Sequence, residues 1–198
     1  MEYYISDTVD TPDFNLGENL VGSDLQGFIL RYMENPTQDG KSIDNVCSFD
    51  NDMNVHYSSG VINKAFTQAV RFCQADGCAS ERDCVLLLGP LFMYANIHKL
   101  TALSGFLDSA AQTCSVVDEF YTTRSPETNC QPTQAKKFVQ HGWLTAGVTV
   151  SDTCVATTTA GCVLPSTPTG IPGLGCFRRI GGVFQWVAGL VDSPFNHD

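Results

Sequence analysis

The stretch "SGVINKAFTQAVRFCQADG", residues 59–77, decides the fold class. Its apolar residues return at intervals of three and four, which is the period of a helix that buries one face. A glycine such as Gly77 is typical of the point where such a helix ends. The sequence therefore predicts an amphipathic helix from Ser59 to about Gly77.

The segments after this helix repeat its pattern. Pro90 suits the first turn of a helix, so we predict a second helix over about 90–100. Ser104 and Thr133 are residue types that cap helix N-termini, and each precedes apolar residues at helical spacing. The third predicted helix follows Ser104, and the fourth follows Thr133 and ends before Gly147.

The N-terminal residues 1–56 are interrupted by Gly, Pro, Asp and Asn, and one apolar patch predicts a short helix near residues 24–33. The chain has 198 residues, of which 43% are hydrophobic, so it can bury a core. The expected fold is mainly α, a bundle of about four to five helices behind a loop-rich N-terminal region.

The composition changes at Cys154, where "CVATTTAGCVLPSTPTGIPGLGC" (residues 154–176) is rich in Thr, Pro and Gly. Such a segment cannot bury enough apolar surface to fold without its cysteines. We predict a boundary near residue 153, with a helical domain at 1–153 and a disulfide-stapled extension of unknown role at 154–198.

Charge and hydropathy exclude two classes of partner. The formal net charge is −10, and clustered cations, on which nucleic-acid affinity depends, are scarce. We therefore expect no nucleic-acid partner. The longest apolar stretches, near residues 84–97 and 181–191, are shorter than the roughly 20 residues that cross a bilayer. No membrane span is expected.

Nine cysteines are scattered along the chain without a CxxC pair. Disulfides formed in an oxidising compartment explain this pattern best, so we predict a secreted, extracellular protein. The odd count leaves one thiol over, and the pairing cannot be deduced from sequence. The first ten residues lack the features of a signal peptide, which leads us to expect that the true N-terminus is missing.

The residues alone give little support for a catalytic role of His56. It precedes a predicted helix, and the nearby acids Asp50 and Asp52 would favour its protonated form. Most lone loop histidines are structural or solvated. Asp13 and Glu18 flank a glycine turn and could offer oxygen ligands to Ca²⁺, although acidic loops are usually only solvated.

Three stretches together indicate a family. They are "PDFNLGENL" (12–20), "LRYMENPTQDGKSIDN" (30–45) and "NVHYSSGVINKAF" (54–66). Their residues and spacing resemble the C-terminal helical domain of thermolysin-like zinc metalloendopeptidases, particularly the bacterial elastase and vibriolysin branch. The resemblance covers about residues 1–150. It implies an enzyme that hydrolyses peptide bonds in a peptide or protein substrate.

The resemblance implies a role for several residues. His56 matches the family histidine that donates a hydrogen bond to the developing oxyanion, and Arg31 matches the arginine that holds the substrate carbonyl beyond the scissile bond. The alternative for Arg31 is a surface ion pair with Glu34 or Asp44. The hydrophobic pocket for the side chain after the scissile bond would use Leu16, Leu20 and Leu30, which are also ordinary core residues.

The resemblance also implies a structural calcium ion. Glu2, Asp13 and Glu18 match the carboxylates that bind it in the family. Thr11 and Asn15 lie where backbone carbonyls contribute. Three carboxylates at matching positions support a calcium site more strongly than the acidic loop does alone.

The chain departs from the family pattern at two points. Asn54 stands where relatives carry an aspartate that orients the histidine, and Asp52 or Asp50 is the candidate replacement. No HExxH motif occurs, and His98, His141 and His197 each lack a histidine at i+4. We therefore expect no zinc ligands in this chain and a zinc ion held by a missing N-terminal half, which would be its partner.

Two hypotheses follow. In the first, the chain is one half of the cleft of a secreted zinc endopeptidase and is inactive alone. In the second, it is a catalytically inactive, cysteine-rich binding protein on the same helical scaffold. Asn54 and the absent zinc ligands favour the second, whereas the presence of both Arg31 and His56 at matching positions favours the first.

Overall fold

The computed structural model describes residues 13–17, 29–123 and 128–165, and it confirms a mainly α fold. The described residues form five helices: α1 Val55–Ser58, α2 Gly60–Asp76, α3 Glu81–His98, α4 Phe106–Thr123 and α5 Pro132–Thr145. Two short antiparallel hairpins join β1 Asn15–Leu16 to β2 Arg31–Tyr32, and β3 Val148–Val150 to β4 Ala156–Thr158. Short 3-10 turns lie at Pro36–Asp39 and Val46–Ser48.

Helix α2 lies at the centre of the bundle and packs against α3 and α5. Its crossing with α5 is very close, because a Cβ atom added to Gly142 would lie 2.9 Å from the Cβ of Ala69 and in steric conflict with the carbonyl oxygen of Ala65. Trp143, next to this glycine, is completely buried. Small residues at the crossing thus bring the two helix backbones into contact.

The predicted C-terminal ends of two helices are confirmed. Helix α2 ends at Asp76, and Gly77 follows with a left-handed φ of 79°. Helix α5 ends at Thr145, two residues before Gly147, whose φ is 88°. Glycine adopts this backbone region without the steric penalty that other residues have.

The prediction for α3 was wrong at its start. The helix begins at Glu81 rather than near residue 90, and the hydroxyl of Ser80 accepts a hydrogen bond from the backbone N–H of Asp83. Pro90 therefore lies inside the helix, where it cannot donate to the carbonyl four residues earlier. The complete burial of Leu87, Leu88 and Leu91 around it outweighs that loss.

The predicted caps of α4 and α5 were also wrong. The hydroxyl of Ser104 accepts from the backbone N–H of Thr101, while the carbonyl of Gly105 accepts the N–H of Ser109 and so begins α4. Helix α5 starts with Pro132, one residue before Thr133, and Gln131 is its N-cap. The residue that precedes the helix is thus Gly105, one residue after Ser104, in α4 and Gln131, two residues before Thr133, in α5.

The short helix predicted near residues 24–33 is not found at its described end. Residues 31–32 form strand β2, which pairs with β1. Residues 24–28 lie outside the described part of the chain.

The hairpin of β3 and β4 was not predicted, and it joins the two sides of the boundary proposed at residue 153. Disulfides Cys114–Cys154 and Cys47–Cys162 also connect residues after 153 to the helical part. Two more disulfides among the described residues are Cys73–Cys84 and Cys78–Cys130. Residues 154–165 are thus attached to the helices, and the division of the chain at 153 stays a prediction.

Within the described ranges, the structure contains no helix that is both long and apolar enough to cross a membrane.

The helix crossing gives a direct test with a matched control. Gly142→Ala should lower the free energy of unfolding by about 1–3 kcal/mol, because the new methyl group overlaps the backbone of α2. Gly89→Ala should change it by less than about 1 kcal/mol, because open space surrounds its Cβ position in α3 and the gain in helix propensity is opposed by the ring of Pro90 that follows it. Urea unfolding followed by circular dichroism measures both. Equal stability of the two variants would contradict the close packing described.

Candidate functional site

His56 lies in the four-residue helix α1, whose backbone is fixed at both ends. The side-chain oxygen of Asn54 accepts a hydrogen bond of 2.9 Å from the backbone N–H of His56. The hydroxyl of Ser59 donates to the carbonyl of His56 at 2.9 Å. Because Ser59 is also the first residue before α2, the half-buried His56 is held at the N-terminal end of the central helix.

The loop at residues 36–43 packs against the junction of α1 and α2. The backbone N–H of Ile43 donates to the carbonyl of Tyr57 at 3.2 Å. At Gly60 an added Cβ would lie 2.8 Å from the Cβ of Pro36 and in conflict with the carbonyl oxygen of Ile43. Only a residue without a side chain lets this loop approach the junction so closely.

Asp39 organises the same loop. Its carboxylate accepts hydrogen bonds from the backbone N–H groups of Lys41 and Ser42, at 2.8 and 2.6 Å, and from the hydroxyl of Ser42. Burial raises the pKa of Asp39, but these hydrogen bonds outweigh it and the pKa is lowered, with a further contribution from the charge of Arg31. Arg31 therefore lies within electrostatic reach of the loop that supports α1.

Arg31 itself lies in the β1–β2 hairpin. In the register of the strands Arg31 faces Leu16, and the backbone N–H of Leu30 donates to the carbonyl of Leu16 at 2.8 Å. The guanidinium Nη1 donates to the carbonyl of Leu30 at 2.7 Å. The hairpin thus brings together three of the predicted substrate-binding residues, all of them half-buried.

One glycine makes this hairpin possible. Gly17 has a φ of 93°, and a Cβ atom added there would lie 2.8 Å from the Cβ of Leu30. A side chain at this position would be strained by both the backbone and its neighbour. The backbone at residue 17 therefore requires glycine.

A polar face of α2 holds the residues that follow Arg31. Lys64 Nζ donates to the carbonyl of Glu34 at 2.9 Å. The hydroxyl of Thr67 lies 3.0 Å from the carbonyl of Asn63 in its own helix and 3.3 Å from the carbonyl of Met33. Arg71 Nε and Nη2 bind the two carboxylate oxygens of Glu34 at 2.9 and 3.0 Å. We call these three α2 residues the polar seam.

The sequence did not predict the polar seam. The seam affects the alternative interpretation of Arg31, in which this residue forms a surface ion pair with Glu34 or Asp44. The carboxylate of Glu34, one of the two acids suggested as an ion-pair partner for Arg31, is bound by Arg71. The seam residues are polar and are spaced by three and four along α2, a pattern that usually indicates only a solvated face. Nothing in the sequence links it to residues 33–34.

The structure shows mainly local hydrogen bonds for three other predicted site residues, Asn54, Asp52 and Asp13. The side chain of Asn54 caps α1 through the backbone of His56. Asp52 is exposed, and its backbone N–H donates to the carboxylate of Asp50 at 2.9 Å. The carboxylate of Asp13 accepts from the backbone and side-chain N–H groups of Asn15. Glu2, Thr11, Glu18 and Leu20 lie outside the described residues.

The described part of the chain does not fit a zinc site of the expected kind. His98 lies on α3 with its ring 4.3 Å from that of Tyr94, and His141 lies on α5 and stacks on Phe72 at 3.9 Å. The sulfur atoms of Cys73, Cys78 and Cys130 lie within 4.8 Å of one another, but all three belong to disulfides. Among the described residues, neither His98 nor His141 therefore belongs to a group of ligands that could hold zinc.

Comparison with known proteins identifies the family. Residues 1–145 match the model described as "Thermolysin metallopeptidase, alpha-helical domain". Because this match covers most of the chain, the protein belongs to the thermolysin metallopeptidase family through its α-helical domain. The predicted resemblance is thereby confirmed.

Individual relatives match over a shorter length. The neutral protease of Vibrio proteolyticus and the virulence metalloprotease of Vibrio anguillarum are each 42% identical over 67 residues, or 33% of this chain and 10% of either relative. The zinc metalloproteinase of Legionella pneumophila is 38% identical over 65 residues, 33% of this chain and 11% of that protein. The chain thus aligns with about a tenth of the length of these curated relatives.

The Glu34–Arg71 pair gives a pH-dependent prediction. The hydrogen bonds from Arg71 hold the pKa of Glu34 below its ordinary value of 4.5, although burial acts in the opposite direction. A lowered carboxyl pKa contributes stability that is present above 4.5 and is lost as the pH falls through the folded-state value. At neutral pH, Glu34→Gln should cost about 1 kcal/mol or less, since both side chains are about a third exposed.

The measurement is urea unfolding of wild type and Glu34→Gln from neutral pH down into the acid range. The difference between them should shrink as the pH falls below 4.5. Asp118→Asn, which breaks the more exposed ion pair with Lys136, is the matched control and should cost less. A difference for Glu34→Gln that stayed constant with pH would rule out an ion-paired carboxylate.

Proposed function

We propose that this chain forms one wall of the substrate cleft of a secreted zinc metalloendopeptidase, with the zinc ligands in an N-terminal half outside this sequence. The observation that carries the proposal is that one scaffold supports both matched residues. His56 is anchored at the start of α2, and the segment that bears Arg31 is bound along the polar seam of the same helix. Membership of the thermolysin family supports the reaction class.

His56 would stabilise the negative charge that develops on the scissile carbonyl oxygen. Its backbone is fixed by Asn54 and Ser59, so little reorganisation is needed when that charge appears. A preorganised donor of this kind is worth about 3–4 kcal/mol in a water-excluding cleft. Zinc, when held by the other half, would supply Lewis-acid polarisation of the carbonyl and activation of a water molecule.

Arg31 would bind a substrate carbonyl beyond the scissile bond. Its hydrogen bond to Leu30 uses one of the five N–H donors of the guanidinium, and the planar fork is suited to a further carbonyl. Leu16 and Leu30 lie beside it in the hairpin, and with Leu20 they would form an apolar pocket that prefers a large side chain after the scissile bond. The substrate would thus be a peptide or protein.

A structural calcium ion is a further part of this proposal. Asp13, with both carboxylate oxygens facing Asn15, would be a ligand of the ion together with Glu2 and Glu18. Hard oxygen ligands of this kind suit Ca²⁺. Secretion would be consistent with both the calcium ion and the disulfides.

The second candidate function is an inactive, cysteine-rich binding protein on the same scaffold. Asn54 favours it, because its amide caps a helix and provides no charge to the neighbouring imidazole. The absence of HExxH from the sequence points the same way. The coding sequence upstream of Met1 distinguishes the two, since an in-frame HExxH supports the enzyme and a signal peptide joined to Met1 contradicts it.

The roles of His56 and Arg31 separate in the kinetics of the complete enzyme. His56→Ala should lower kcat about 100- to 1,000-fold, because the donor acts mainly on the transition state. Arg31→Lys should raise KM about tenfold, the equivalent of one lost charge-assisted hydrogen bond. Steady-state cleavage of a peptide with a large apolar residue after the scissile bond measures both, with Lys136→Met as control. Unchanged kcat in His56→Ala would refute the oxyanion role, and this chain alone should not cleave the peptide.

Asn54 allows charge and helix capping to be tested apart. Asn54→Asp keeps a side-chain oxygen for the backbone of His56 and adds a negative charge, so stability should hold while activity extends to higher pH. Asn54→Ala should lose about 1 kcal/mol of stability through the missing cap. The pH profile of kcat and thermal unfolding are the two measurements. An identical profile for Asn54→Asp would show that this position does not tune His56.

A further inference from the structure

We propose that Arg71 is a positioning residue for substrate binding, which acts by holding the β1–β2 hairpin, and with it Arg31, against α2 through Glu34. This inference rests on the proposed function and deepens it. Arg71 lies forty positions after Arg31 in the sequence and belongs to no motif that the resemblance carries.

The β1–β2 hairpin is too small to be stable by itself. Each of its strands has only two residues, and an isolated hairpin of this size is not stable in water. Its position must therefore be set by what it packs against. The segment that leaves β2, residues 33–34, lies on the polar seam, so α2 is the element that fixes the hairpin.

Arg71 makes the most directional contact of the seam. Its guanidinium binds both oxygens of the Glu34 carboxylate in a fork, and Nη1 binds Glu81 at 2.6 Å in the first turn of α3. The ring of Phe14, which comes just before β1, lies 4.9 Å from the guanidinium carbon. Arg71 thus touches the residues next to both strands and ties them to two helices.

The geometry of this contact is specific to arginine. A planar fork fixes distance and orientation at once, and it stacks on an aromatic ring, whereas a lysine ammonium provides a point charge on a flexible stem. The backbone N–H of Met33, the residue before Glu34, donates to the carbonyl of Phe14 at 2.8 Å. A displacement of Glu34 would therefore also displace both strands. Arg31 lies three residues before Glu34 and would move with it.

The two matched residues depend on different parts of α2. His56 is attached through Ser59 and the loop at 36–43 to the N-terminal end of the helix, whereas Arg71 lies near its C-terminal end. Loss of Arg71 should therefore displace Arg31 while the oxyanion donor stays in place. In kinetic terms KM should change and kcat should not.

The first experiment uses this chain as it is. Amide hydrogen exchange is measured in wild type, Arg71→Met, Arg71→Lys and Lys136→Met. In Arg71→Met the amides of Leu30 and Met33, which donate to the carbonyls of Leu16 and Phe14, should exchange about tenfold faster, and Arg71→Lys should recover only part of the protection. The amide of Val46, which bonds to Ala146, should not change, and it reports whether the bundle remains folded.

Lys136→Met is the matched control because it breaks the ion pair with Asp118 between α5 and α4. It should leave the amides of Leu30 and Met33 unchanged. If the exchange of these two amides is unchanged in Arg71→Met, while protection of the Val46 amide shows that the chain is folded, the proposal is overturned.

The second experiment uses the complete enzyme. Arg71→Met should raise KM about tenfold at nearly constant kcat, and the double variant with Glu34→Gln should be no worse than the single ones, since both break the same contact. If Arg31→Lys leaves KM unchanged, the proposed substrate role of Arg31 fails. If Arg31→Lys raises KM and Arg71→Met does not, only the positioning role of Arg71 fails.

Discussion

The contact between the backbones of α2 and α5 at Gly142 is the constraint on which the rest of the structure depends. With Ala65 and Ala69 opposite this glycine, no side chain separates the two helices, and α2 is held at the centre of the bundle. Most of its apolar residues are buried in this packing and in the contact with α3. Its other face and its N-terminal end are then available to support segments that have little regular structure of their own.

This arrangement explains how a loop-rich front can carry a defined site. Residues 29–58 contain a two-residue strand, two 3-10 turns and a four-residue helix, none of which is stable by itself. Most are bound to α2 or to its junction with α1: Ile43 at Tyr57, the loop at 36–43 over Gly60, and Glu34 at Arg71. The turn at Val46–Ser48 is instead bound to Ala146, just after α5. The rigid helix α2 thus fixes the positions of the segments that carry Arg31 and His56.

The sequence predicts α2 well because period, composition and the closing Gly77 all agree. It fails at the start of α3, where Ser80 and Pro90 give competing signals and only the burial of Leu87, Leu88 and Leu91 decides between them. The hairpins are too short to show a period of two. His56 and Arg31 were found through the family resemblance. The seam that supports Arg31 could not be found, because its partners at residues 33–34 are distant in sequence and include backbone carbonyls.

The disulfide Cys47–Cys162 has a consequence for how such a protein would withstand proteolysis. It joins a residue just before α1 to one near the end of the described chain, at a sequence separation of 115 residues, and so encloses all five helices in a covalent loop. A single cut anywhere inside that loop releases no fragment. A nicked molecule would therefore keep its helices tethered at high local concentration.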